Sequence, residues 1–210
     1  MDMSRIESVL TRIEPHLPPG AIVTDENERK TYECDGLAVH RTVPALVIRV
    51  TSTAEVALTV GACHEFDVPF VARGSGTGLS GGAQPHAEGV LIVMSTMRDI
   101  LDIDPLAQRA IVQPGVINLN LSNEANPGGY YFAPDPSSQS VCSIGGNVAE
   151  NSGGAHCLKY GFTTNHVTGV TLVTARGDIV EIGGDAPNTP ATTSSACSAD
   201  PRGHWASSLR

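Results

Sequence analysis

Residues 71–82 read VARGSGTGLSGG, which places five glycines and one arginine directly after an apolar run. Because glycine has no Cβ, such a backbone can adopt positive φ or approach a neighbouring surface closely. The segment is therefore either a flexible loop or a backbone surface shaped to lie against another group. These twelve residues alone leave both interpretations open.

Two familiar phosphate-binding motifs are excluded by the residues on the C-terminal side of the glycines. Gly76, Gly78 and Gly81 have the spacing of a Rossmann fingerprint, and Asp102 lies about 20 residues further on. That motif needs a helix to begin at the loop, so that the helix N-terminus faces the pyrophosphate. Here the loop runs into AQPHAEG and the strand-like VLIVM, and no Lys-Ser/Thr pair comes after it as in a P-loop. A strand–loop–strand with an anion-binding nest of N–H groups remains.

A second glycine-rich segment covers residues 133–161, APDPSSQSVCSIGGNVAENSGGAHCLKYG. It contains two GG pairs, and Asn147 and Asn151 are spaced as if along one turn of a helix. Small hydroxyl and amide side chains flank the glycines of both segments. We therefore expect the two segments to form two walls around one elongated polar ligand, and a dinucleotide has that shape.

The hydrophobic pattern mixes helices and strands. Helices are predicted over 5–17, 51–66 and 117–125. Strands are predicted over 44–50, 68–72, 89–94, 100–104 and 109–115, and then a hairpin over 167–182 with ARGD as its turn. Strands succeed one another too often for a pure βαβ array. The predicted fold class is therefore α+β, or mixed α/β, around a core of roughly 45–185.

Charge and cysteine content exclude several classes of protein. The net charge is −9 and the chain has two lysines, Lys30 and Lys159, which argues against a nucleic-acid partner. Five cysteines without a CxxC pair or a secretory leader predict reduced thiols in the cytoplasm. No apolar run approaches the ~20 residues that a membrane-spanning helix needs. His156-Cys157 lacks a second ligand pair, so we predict no metal site.

The resemblance to a known family rests on four stretches, which occur along the chain in this order: PFVARGSGTGLSGGA (69–83), IVQPGV (111–116), YYFAPDPSSQSVCSIGGNVAENSGGAHCLKYG (130–161) and VTLVTARGDIVEI (170–182). Together they resemble the FAD-binding domain of the vanillyl-alcohol oxidase/p-cresol methylhydroxylase superfamily. Within it, the chain is most similar to the flavin-carrying D subunits of bacterial glycolate oxidases, alongside D-lactate dehydrogenases. The resemblance covers roughly residues 5–187 and implies the two-subdomain FAD-binding fold of that superfamily, incomplete at its C-terminal end.

By this resemblance, the first loop would wrap the FAD pyrophosphate through Arg73, Gly74, Ser75, Gly76, Thr77 and Gly78. The flavin side would be approached by Pro134, Asp135, Ser138, Gly145, Gly146 and Asn147. The remaining wall would include Asn151, Gly154 and Gly161, with Val167 near the adenine end. Arg73 could either contact the cofactor or brace the loop. Covalent members of the superfamily attach flavin to a histidine where this chain has Thr77, so we expect non-covalent FAD.

The resemblance also implies an activity, oxidation of a small 2-hydroxy acid (glycolate or D-lactate) to the 2-keto acid by hydride transfer to FAD. Implied partners are a second FAD-domain subunit and an iron–sulfur subunit. No catalytic residue is assigned, because family members continue into a substrate domain, and we expect this chain to be inactive alone. A non-enzymatic domain that binds FAD or docks a subunit is the alternative, and a non-functional fragment liable to aggregate at an unpaired strand edge is a third possibility.

The composition predicts three parts of the chain. Residues 1–40 form a helical lead-in, 41–187 a partial FAD-binding domain, and 188–210 a tail. The tail has almost no large aliphatic residues, so it cannot bury enough surface to offset its ordering entropy. We expect it to be disordered or read out of frame, as in a truncated or frameshifted copy of a longer gene.

Overall fold

The structure, a computed structural model, describes residues 3–184 and 207–209. Six α-helices, three short 3₁₀ helices and nine strands lie in these ranges. The helices are α1 (Met3–Ile13), α2 (Glu26–Lys30), α3 (Thr53–Glu65), α4 (Asn118–Ala125), α5 (Ile144–Glu150) and α6 (Cys157–Tyr160). The strands are β1 (Ile22–Val23), β2 (Leu46–Arg49), β3 (Phe70–Arg73), β4 (Val90–Val93), β5 (Ile100–Asp104), β6 (Arg109–Val112), β7 (Gly169–Val173), β8 (Ile179–Gly183) and β9 (Ser207–Leu209). This arrangement confirms the predicted mixed fold class.

The first sheet is mostly parallel and is covered on both faces. Its order is β1-β2-β4-β3, in which β2, β4 and β3 are parallel and β1 is antiparallel to β2. Ile48 and Ile92 lie in the cluster that includes buried residues of α1 and α3, whereas Val47 and Leu91 lie in a second cluster with Tyr32. Both faces of β4 are therefore buried, which accounts for its uninterrupted apolar sequence.

Two helices cover one side of this sheet. The Ser52 side chain caps α3 by accepting from the Glu55 N–H, and the Glu55 carboxylate accepts from the Thr51 N–H at 2.7 Å. The first contact satisfies a donor that a helix start leaves without a partner, and the second fixes the residue before the cap. Ile6 and Val9 of α1 are buried in the same cluster. The core therefore begins within the first turns of α1 rather than near residue 45.

The glycine-rich loop is the connection between two parallel neighbours. β3 and β4 pair with Val71 opposite Leu91, and residues 74–89 join them without a helix. A parallel pair requires the chain to return across the sheet, a task that a helix performs in most proteins. The predicted strand–loop–strand is thus confirmed, and the loop crosses the carboxyl end of the sheet.

The second sheet is antiparallel, in the order β5-β6-β9-β7-β8. The predicted hairpin is confirmed as β7 and β8, and its turn packs on α3. Gly177 has φ 89°, and a Cβ there would lie 2.7 Å from the Ala57 carbonyl oxygen. This close approach joins the hairpin of the second sheet to the helix that covers the first.

The predicted tail lies mainly outside the described residues. Of residues 188–210, Ser207–Leu209 form β9, which pairs with β6 and β7. The prediction for the rest of the tail, like the proposed boundaries at 40/41 and 187/188, stays a prediction. Within residues 3–184 and 207–209, no helix combines the length and apolar character needed to cross a membrane.

Candidate functional site

The two glycine-rich segments face each other across one cavity. Its volume is about 660 Å³, and its walls come from the loop at 74–83 and the segment at 137–152. The predicted residues that line it are Gly74, Ser75, Gly76, Thr77, Gly78, Ser138, Gly145, Gly146 and Asn147. The structure therefore brings together parts of the chain that the sequence places far apart.

The parallel strands of the first sheet point into this cavity. Ala72 near the end of β3 and Met94 just after β4 both line it. In open sheets with parallel strands, ligands bind beyond the carboxyl ends of the strands, where connections diverge. The cavity occupies that position.

The loop presents free backbone donors. Within the described residues, the N–H groups of 74–79 donate to no protein acceptor. Successive N–H groups in such a loop form a concave donor surface that attracts anions without any positively charged side chain. This surface suits a chain with a net charge of −9.

Arg73 braces the loop and does not line the cavity. Its guanidinium Nη1 donates to the carbonyl oxygens of Cys34 at 2.8 Å and Ala83 at 3.3 Å. Burial lowers the pKa of Arg73, while Cys34 and Asp35 oppose that shift. Gly76 has φ 69°, and a Cβ there would overlap the guanidinium. The loop thus folds around the Arg73 side chain. The sequence left two roles open for Arg73, contact with the cofactor and bracing of the loop, and these contacts support bracing.

The opposite wall is built on α5. Ser143 caps this helix, because its Oγ accepts from the Gly146 N–H at 3.3 Å, and Gly145 N–H donates to the Pro114 carbonyl at 2.8 Å. Asn147 is 2% exposed and lines the cavity. Its amide nitrogen has no hydrogen-bond partner within the described residues. A buried donor of this kind fits a site that supplies an acceptor from outside the chain.

Two of the cavity-lining residues that were not predicted from the sequence make hydrogen bonds that shape the walls. Ser143 precedes the IGGN run, so an N-cap signal could have identified it. Glu150 accepts a hydrogen bond from Ser80 Oγ at 3.0 Å and so joins the two walls directly. No local signal distinguishes Glu150 from any other exposed glutamate.

Several predicted cofactor residues lie outside the cavity lining: Arg73, Pro134, Asp135, Asn151, Gly154, Gly161 and Val167. Their contacts are with other segments of the chain. Asn151 has φ 48°, and its Oδ1 accepts from the Thr164 N–H at 3.1 Å. A Cβ on Gly154 would overlap the Asp135 carbonyl. Direct cofactor contact through these seven residues stays a prediction.

His156 and Cys157 form hydrogen bonds with two of these seven residues, Asp135 and Gly154. His156 Nδ1 pairs with Asp135 Oδ2 at 2.6 Å, and Cys157 Sγ accepts from the Gly154 N–H at 2.8 Å. No group of three or more His, Cys, Asp or Glu side chains suited to a metal ion occurs in the described parts of the chain. Cys34, Cys63, Cys142 and Cys157 are free thiols.

We expect His156→Ala to raise the pKa of Asp135. The hydrogen bond from His156 is the main cause that holds this pKa below its ordinary value of 3.8. The pair therefore stabilises the fold fully above that ordinary value, and the contribution is lost as pH falls through the lowered pKa of Asp135. NMR titration of the Asp135 carboxyl carbon measures the change, with His64→Ala on α3 as the control. An unchanged Asp135 titration in His156→Ala would contradict the pairing.

Comparison with known proteins gives consistent matches. The sequence model for "FAD binding domain" matches residues 44–183. Glycolate oxidase subunit GlcD of Escherichia coli K12 is 49% identical over 183 residues, which are 87% of this chain and 37% of that protein. A D-lactate dehydrogenase of Anaerostipes hadrus is 36% identical over 82% of this chain and 36% of its own length. The chain spans little more than a third of the length of these curated relatives.

A solved structure matches the fold. p-Cresol methylhydroxylase with bound substrate superposes with a TM-score of 0.77 at 19% identity, over 90% of this chain and 38% of that one. At this identity the likeness concerns the fold alone. It confirms the expected p-cresol methylhydroxylase type of fold.

Proposed function

This chain belongs to the FAD-binding domain family, and on that premise we propose that it is the flavin-binding part of an oxidoreductase that converts a 2-hydroxy acid into the 2-keto acid. The matched region covers residues 44–183 and includes both walls of the cavity. FAD is therefore the cofactor. The likeness to a glycolate oxidase subunit and a D-lactate dehydrogenase supports glycolate or D-lactate as the substrate class.

The main support for the proposal is the set of hydrogen-bond donors around the cavity that have no acceptor within the described residues. The N–H groups of 74–79 and the buried Asn147 amide nitrogen have no acceptor within the described residues. Pyrophosphate oxygens would fit the loop donors, and a carbonyl or ring nitrogen of the flavin would fit Asn147. The residues that line the cavity therefore fit FAD.

The remaining cavity residues would shape and orient the bound cofactor. Ser75 and Thr77 offer hydroxyl donors beside the loop N–H groups, while Ser138, Gly145 and Gly146 line the opposite wall. When bound, FAD supplies the two-electron acceptor for the hydride of the substrate. The loop would hold the diphosphate, and Asn147 would fix the position of the ring system. We propose that FAD is held non-covalently, with Thr77 at the first-loop position.

FAD binding is expected to be tight and reversible. We expect the purified chain, after addition of FAD and desalting, to keep a flavin absorption band. The band should move wholly to the supernatant when the protein is precipitated with acid. FMN, which lacks the AMP half, should be retained far less, because it cannot span both walls. A folded chain that retains no FAD would contradict the proposed function.

A non-enzymatic role is a second candidate, favoured by the chemistry of the cavity lining. In the described cavity the ionisable side chains are Cys142 and Glu150, and Glu150 already accepts a hydrogen bond from Ser80. Proton removal from a hydroxy acid needs a base within reach of the substrate. Turnover of glycolate or D-lactate with a dye acceptor separates the candidates: turnover supports the oxidoreductase, and flavin binding without turnover supports a binding module.

We propose further that the whole protein works as one subunit of a complex. The likeness to a glycolate oxidase subunit supports this role. A second FAD-domain subunit and an iron–sulfur subunit would be the partners, and the cytoplasm the location. Co-purification of the tagged protein with a second flavin polypeptide and an iron–sulfur polypeptide is the expected result.

A further inference from the structure

Asn118 is a buried polar residue outside the cavity. It begins α4 and is 0% exposed. Its Nδ2 donates to the Pro134 carbonyl at 3.0 Å, and its backbone N–H donates to the Cys142 carbonyl at 3.0 Å. One residue thus holds both ends of the segment 134–142.

The neighbouring residue ties down the middle of the same segment. The Leu119 N–H donates to the Gln139 carbonyl at 3.0 Å. Within the segment, the Val141 and Cys142 N–H groups both donate to the Ser138 carbonyl at 2.8 Å. The start of α4 therefore fixes a compact loop whose ends lie close together, as in an Ω-loop.

This segment forms part of the cavity wall. Ser137, Ser138 and Cys142 line the cavity, whereas Asn118 does not. Displacement of Pro134 would move the start of the segment, and interiors transmit such shifts because they are closely packed.

We infer that Asn118 is a positioning residue that sets the shape of the cavity wall at 134–142 through its hydrogen bond to the Pro134 carbonyl. The inference rests on the proposed function for its link to FAD. The required property is the donor on Nδ2. The Oδ1 atom of Asn118 is buried without a hydrogen-bond partner within the described residues, so it adds no contact that would fix the segment.

The decisive variant is Asn118→Asp, which keeps the shape and replaces the donor by an oxygen. At about pH 7.5 the carboxylate faces the Pro134 carbonyl, and we expect FAD affinity to fall about tenfold. Burial without a cation raises the pKa of a carboxyl group. At about pH 5.5 the protonated form can donate to Pro134, so we expect most of the affinity to return.

Three matched variants complete the design. Asn118→Leu also removes the donor, and we expect a similar loss of affinity without recovery at lower pH. Asn120→Asp makes the same chemical change at an exposed position of α4 and should behave as the wild type. If Asn118→Asp does not fold, Asn118→Leu and Asn118→Ser supply the comparison at neutral pH.

Hydrogen exchange of the FAD-free chain tests the inference independently of cofactor binding. We expect amides of 137–142 to exchange about tenfold faster in Asn118→Asp at neutral pH, with recovery at lower pH and no change in α3. Wild-type protein that binds no FAD would refute the proposed function, while faster local exchange would still support the positioning role. Unchanged exchange, or equal FAD affinity across all variants, would overturn the inference.

Discussion

Replacement of Gly74 by alanine is expected to weaken FAD binding about a hundredfold. A Cβ on Gly74 would overlap Ser143 Oγ, which belongs to the opposite wall of the cavity. Ser143 cannot move freely, because its Oγ caps α5 through the Gly146 N–H. We expect the two walls to relieve this overlap by moving apart, so that the cost of overpacking, about 1–3 kcal/mol, appears as lost affinity. The upper part of that range corresponds to roughly a hundredfold. Titration of the flavin fluorescence measures the loss.

A second substitution should restore much of this affinity. The same Cβ would lie 3.5 Å from Ser143 Cβ, an ordinary contact, so the double variant Gly74→Ala/Ser143→Ala removes the overlap. Ser143→Ala alone loses a helix cap and should cost about 1 kcal/mol. Gly61→Ala on α3, outside the cavity, is the control, since its Cβ would lie 3.8 Å from the Arg176 carbonyl oxygen, an ordinary contact. Additive losses in the double variant would contradict a direct contact between the walls.

Arg73→Met is expected to lower the free energy of unfolding of the FAD-free chain by about 3 kcal/mol. The substitution leaves the partly buried carbonyl oxygens of Cys34 and Ala83 without their charged donor. Hydrogen bonds to charged groups contribute about 1.5–3 kcal/mol each. For a chain of this size, such a loss lowers the Tm by roughly 6–12 °C. Chemical and thermal denaturation followed by circular dichroism measure both quantities.

Two further variants show whether charge or hydrogen bonding is responsible. Arg73→Lys keeps the charge but lacks the fork of donors, so we expect it to recover only part of the lost stability. Arg12→Met removes an exposed ion pair with Glu65 at 3.9 Å and should change stability by less than about 0.5 kcal/mol. Equal effects of Arg73→Met and Arg12→Met would show that the loop does not depend on Arg73.

The helices, strands and turns that could be predicted from the sequence are those whose residue pattern fits only one arrangement of buried and exposed positions. The uninterrupted apolar run VLIVM becomes β4, buried on both faces. Ser52 and Glu55 mark the start of α3, where both contribute to capping. The ARGD turn carries the positive φ of Gly177 that its glycine allows. In each case local chemistry and tertiary packing favour the same structure.

Other features depend on contacts between distant segments. α5 contains the Gly145-Gly146 pair, which lowers its helix propensity, and α6 has only four residues, so packing determines both helices. Glu150 enters the site through Ser80 in the other wall. Asn118 lies in a segment with an ordinary helical pattern, and its burial results from how α4 meets residues 134–142. Sequence spacing carries no information on these juxtapositions.

The strand order of the first sheet also determines when the cavity can begin to form during folding. β4 is the last of its four strands in the chain, yet it lies between β2 and β3. β3 has no partner in this sheet until β4 docks, and the loop at 74–89 leads directly into β4. Docking of β4 therefore closes the sheet and draws the glycine loop across it in one step. A chain released before Val90 would leave one edge of β2 and both edges of β3 unpaired, and its glycine loop would have no β4 to draw it across the sheet.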